Sequence, residues 1–142
     1  MEISDVRKRL LRVIEEARRT DVERRARADQ AGAAYDAFLS RVAAPVFHQI
    51  ANALTAEGYP FIVFTPAGGL RLASERAAND FIEIELDNST DPPVALGRGS
   101  HGRGSRVIRT ERPIRTAAAI EDLTEVDVLE FLLDELVALI ER

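Results

Sequence analysis

The chain contains no cysteine, which removes disulfides, thiolate nucleophiles and thiolate zinc sites together. His48 and His101 are its only imidazoles, and Lys8 is its only lysine among arginines. No apolar run approaches the roughly 18 residues needed to span a bilayer. Met1 to Asp5 is polar rather than signal-like, so a cytosolic protein without a membrane partner is expected. Glycine and proline are missing between Ile3 and Ala31, which withholds the usual turn signals from that stretch.

What is present describes one folded unit. With 142 residues, 46% apolar and 30% charged, the chain is long enough for one hydrophobic core and close to average globular composition. The net charge of −5 is unevenly spread. Arginines 98, 103, 106, 109, 112 and 115 face Glu111 alone, whereas residues 121–142 carry eight carboxylates against one arginine. Two neighbouring blocks of opposite sign attract each other within the fold or between subunits, or the basic block attracts an anionic partner.

Ile3, Val6, Leu10, Val13 and Ala17 recur at spacings of three and four, a helical stripe of coiled-coil width. Continuing that register brings Thr20, Arg24 and Arg27 into the seam before Ala31, Ala34 and Phe38 restore it. Either one long helix has a solvated middle, or a helical hairpin breaks near Thr20, where Thr20-Asp21-Val22-Glu23 fits a capping box. The lack of Gly and Pro favours the continuous helix. Pro45 predicts a kink or a fresh helix start. Beyond it Val46, Ile50, Ala53 and Leu54 form an apolar face with Phe47 beside it, and Gly58 to Pro60 supplies the stop.

From Phe61 the period changes to two. Phe61 to Phe64 reads as a buried strand, Pro66 to Gly69 as a turn and Leu70 to Ala73 as the return strand. Phe81 to Leu86 alternates, with Ile82, Ile84 and Leu86 inward and Glu83 and Glu85 outward. Val94 to Leu96 and Arg106 to Thr110 predict a second hairpin, with the glycine-rich connector Gly97 to Ser105 as a mobile tip. Thr124 is the expected N-cap of a final helix, with Glu125 and Asp127 in its first turn. Its apolar residues cover more than half the circumference, so it must be buried on two sides, by the sheet and by the helix ending near Ala56 or a second copy of the chain. The expected architecture is α+β. A protruding N-terminal helix spans residues 1–44, and a globular domain over 45–142 holds an antiparallel sheet of about four strands with the amphipathic C-terminal helix packed on it.

No motif in the chain points to a catalytic or cofactor site. The outward carboxylates Glu83, Glu85 and Asp87 could bind a hard cation, but cross-strand pairing with arginines such as Arg71 or Arg109 is the simpler reading. The Gly97 to Ser105 run lacks the lysine and following helix of a phosphate-binding loop. His48 has no partner suited to general-base work. No catalytic residue, metal or cofactor is therefore expected. The favoured function is a non-catalytic assembly module, a homodimer with a further protein partner. Its interface would comprise Ile3, Val6, Leu10, Val13 and Ala17, joined by Leu132 and Leu136 of the last helix. The second reading is nucleic-acid backbone contact through Arg98, Arg103, Arg106 and Arg109. A metal-dependent enzyme at the Glu83/Glu85 face ranks third.

Overall fold

The computed structural model describes residues 1–141. Helix α1 (Ile3–Phe38) is unbroken through Thr20. The Thr20 to Glu23 capping pattern goes unused there: Asp21 instead pairs with Arg24 and Arg25 in the next turn. Gly32 lies inside the helix, where its cost of about 1 kcal/mol relative to alanine is not enough to break a long helix anchored by packing.

The helix does not end at Phe38. It passes through a π-helical turn (Leu39–Ala43) into α2 (Ala44–Ala56). The amide of Ala44 donates to the carbonyl of Leu39, five residues back. Pro45 supplies the reason. A proline in a helix lacks an N–H and pushes its ring at the carbonyl four residues earlier, and widening the turn just before Pro45 relieves that crowding. Phe47, beside the expected apolar face, proves to be at its centre and fully buried, with Val46 and Ala51.

Five strands follow as an antiparallel meander in sequence order: β1 (Phe61–Phe64), β2 (Gly69–Ser74), β3 (Phe81–Asp87), β4 (Val94–Arg103) and β5 (Arg106–Pro113). The sheet is thus one strand larger than expected. A short 3-10 turn (Ile120–Asp122) leads to α3 (Glu125–Ile140). Thr124 caps α3 as its sequence requires: its hydroxyl accepts from the Asp127 amide, and the Asp127 carboxylate accepts from the Thr124 amide.

All the helical packing lies on one face of the sheet. Leu70, Leu72, Ile82, Ile84 and Ala95 point to that inner face and meet Tyr35, Phe38, Phe47, Phe131 and Leu132. The outer face has no helix over it, and this corrects the expectation for the first strand. β1 is an edge strand of a sheet covered on one side only, so Ile62 and Phe64 remain 46% and 41% exposed.

The glycine-rich connector is also corrected. Instead of a mobile tip it is regular strand: β4 runs to Arg103, and only Gly104 and Ser105 turn the chain. Gly97 and Gly99 sit on the inner face beneath α3. A Cβ on Gly97 would overlap the Phe131 ring and lie 3.0 Å from Ile114 Cδ1, and one on Gly99 would overlap the Glu135 carboxylate. The absent side chains let α3 approach the strand closely.

From Met1 to Gln30 α1 touches almost nothing, and Ala31, Tyr35 and Phe38 are its first core residues. The part beyond Arg27 projects about 35 Å at 1.5 Å per residue. Its root is clasped where Arg27 Nε and Nη2 donate to the two Asp91 carboxylate oxygens at 3.0 and 2.8 Å. The hydrogen bond from Arg27 holds the Asp91 carboxyl below its ordinary range.

Candidate functional site

The outer sheet face carries a cross-strand ladder. Phe64, Arg71, Glu83, Arg98 and Glu111 are register partners from β1 to β5, so strand alternation puts all five on the same side. Arg71 Nε and Nη2 donate to Glu83 Oε2 at 2.8 and 2.6 Å. Its guanidinium lies 3.9 Å from the Phe81 ring centre and 5.6 Å from that of Phe64. Arg98 pairs with Glu85 at 2.6 Å and with Glu111 at 3.2 Å.

This arrangement spends Glu83 and Glu85 on arginines. Among the described residues no group of three or more His, Asp or Glu side chains is placed to hold a metal ion. Glu83 is buried although its position in the strand makes it outward, with the Arg71 guanidinium, itself lying against the Phe81 and Phe64 rings, paired to its carboxylate. Glu83→Gln is expected to destabilise the domain by about 1–3 kcal/mol in urea unfolding, since a half-buried guanidinium loses its anion. The same change at the more exposed Glu85 should cost under about 1 kcal/mol.

The four arginines of the nucleic-acid reading are not gathered. Arg98 and Arg109 lie on the outer face, whereas Arg103 and Arg106, paired with each other at the hairpin end, alternate to the opposite face. Arg98 is held by two carboxylates. Among the described residues no ion pair engages Arg103, Arg106 or Arg109. The opposite-sign blocks do meet inside the fold, through other arginines. Arg112 reaches Asp134 and Glu135, each at 3.3 Å, and Arg115 reaches Asp127 at 3.0 Å. Thr110 donates to Glu135 at 2.9 Å. Near the hairpin end, His101 and Arg103 line an open cleft of about 550 Å³ with Ala138 and Glu141 of the α3 end. His48 is exposed on α2.

The interface candidates divide in two. Ile3, Val6, Leu10 and Val13 are 86%, 48%, 55% and 62% exposed, and Ala17 is exposed with them. This stripe lies wholly on the projecting part of α1. Leu132 and Leu136, by contrast, are buried in the chain's own core. The uncovered large apolar residues of α3 are Val126, Leu129, Leu133, Val137 and Ile140, at spacings of three, four, four and three. Counting apolar residues around α3 does not distinguish these from the buried ones. Alongside the stripe stand Glu125, Glu130 and Asp134, all exposed.

No helix among the described residues is long and apolar enough to cross a membrane. The chain matches no protein-family model, no curated protein and no solved structure.

Proposed function

We propose that the chain is a non-catalytic assembly module of the cytoplasm, two copies associating through the projecting half of α1. The observation that carries this reading is a five-residue apolar stripe, Ile3 to Ala17, displayed on a helix that leaves its own domain and meets nothing there. Exposed apolar surface of this continuity is costly in water and is retained where a partner covers it. A lone helix of two heptads is marginal by itself, so a partner surface completes it.

Light scattering on the purified chain should give twice the monomer mass. Leu10→Asp with Val13→Asp should return it to the monomer mass and leave the helix content unchanged, since both positions are more than half exposed. A wild-type chain that stays monomeric at tens of micromolar would overturn the reading. Nucleic-acid binding is less well supported: its four arginines are divided between two faces, one of them is already paired, and the net charge is −5.

A further inference from the structure

We infer that the α1 stripe of one copy docks on the exposed α3 stripe, Val126 to Ile140, of a second copy. This rests on the assembly reading above and names the surface that receives the helix. Both stripes hold five apolar residues spread over fifteen positions at spacings of three and four, about 21 Å of helix each. Helices with this spacing pack side by side along a seam.

Charge decides between the pairings. From Ile3 to Arg19, α1 carries six cations against Asp5, Glu15 and Glu16, a net of +3. α3 carries five carboxylates and no cation, and with Arg112 and Arg115 paired to three of them its face keeps a net of −3. Pairing α1 with α1 sets +3 against +3, and pairing α3 with α3 sets negative against negative. Only the crossed pairing sets opposite signs together, with Arg7 and Arg9 beside one stripe available to Glu125 and Glu130 beside the other. Charges beside such a seam choose the partner more than they add affinity.

An unbroken helix from Ile3 to Phe38 cannot fold its first turns back onto the α3 of its own chain, so the receiving α3 belongs to another copy. A two-fold axis lets each copy give one arm and receive one, doubling a short contact that would be marginal alone.

The test uses the full chain and three preparations: wild type, an arm variant (Leu10→Asp with Val13→Asp) and a face variant (Leu133→Asp with Val137→Asp). All four positions are about half exposed or more, and circular dichroism checks that each variant is folded. Each variant alone should lose the two-copy mass. Their equimolar mixture should recover it, because the intact arm of the face variant meets the intact face of the arm variant. Since the chain has no cysteine, Leu10→Cys mixed with Leu133→Cys, the midpoints of the two stripes, should give a disulfide-linked heterodimer, which neither gives alone. If the face variant keeps the wild-type mass while the arm variant loses it, arms pair with arms; the inference then falls and the assembly reading stands. If the wild type is monomeric, both fall. In that case co-flotation with anionic vesicles would identify the basic arm as a membrane-surface helix instead.

Discussion

Gly97→Val should cost the domain more stability than any other single addition of a small side chain. A Cβ at this position already overlaps the Phe131 ring, and Phe131 is only 2% exposed. The ring is rigid and hemmed in, so it cannot swing aside as a surface lysine would. Two effects compete. A residue with a side chain suits a strand better than glycine by about 0.5–1 kcal/mol, because less backbone freedom is lost on folding. Overpacking a closed core costs about 1–3 kcal/mol for alanine-sized additions and more for a branched one. Packing wins. Gly97→Ala should lower the urea midpoint with an unchanged slope, and Gly97→Val should consume most of a typical stability of about 5–15 kcal/mol. Combining Gly97→Ala with Phe131→Leu should cost less than the sum of the two, because one change makes the room that the other needs.

Tyr35→Ala should be the second large loss, about 3–5 kcal/mol in the same measurement, the range for removing a buried aromatic ring. Tyr35 is 2% exposed and stands where α1 enters the core, with the Phe38 ring centre 6.4 Å away. Its hydroxyl donates to the Gly68 carbonyl at 3.0 Å, with the Ile84 carbonyl at 3.4 Å. One side chain therefore ties the helix root to the turn between β1 and β2 and to the central strand. Burial lifts its ionisation above the ordinary tyrosine range, so the hydroxyl remains a donor throughout the neutral range. Tyr35→Phe separates the two contributions. It keeps the ring, and its cost should be near the roughly 0.5–1.5 kcal/mol of one hydrogen bond. An effect of Tyr35→Phe as large as that of Tyr35→Ala would show that the hydroxyl, and not the ring, anchors the helix.

Local chemistry made most of this fold legible, and the errors fall where the third dimension decides. Thr124 and Asp127 three residues apart announce a helix start that the structure builds atom for atom. The alternation of Phe81 to Leu86 identifies β3, because Ile82 and Ile84 must leave water while their neighbours need not. The unbroken α1 follows from the lack of any breaker before Gly32. Gly97 and Gly99, however, look the same in sequence whether they loosen a loop or clear space for a helix, and only Phe131 and Glu135 tell the two apart. Leu132 and Leu133 are adjacent leucines, yet one is fully buried and the other half exposed. Their order around α3 depends on which side of the helix meets the sheet, and periodicity does not contain that information. The outward Glu83 finds its partner in Arg71 of the neighbouring strand, whose guanidinium lies against rings from β1 and β3, an arrangement that exists only once the register is set.

The unbroken passage from α1 through the π-helical turn into α2 makes the molecule a lever with no elbow. A helix repeats every 3.6 residues, so the compass bearing of the α1 stripe, seen down its axis, is locked to the sheet by the number of residues between Ala17 and Tyr35. One residue added to that interval would swing the stripe by about 100° and lengthen the lever by only about 1.5 Å, while seven would return it to within about 20° of its first bearing. In this chain angle is far more sensitive than length, and Tyr35, where α1 enters the core, is the point that fixes it.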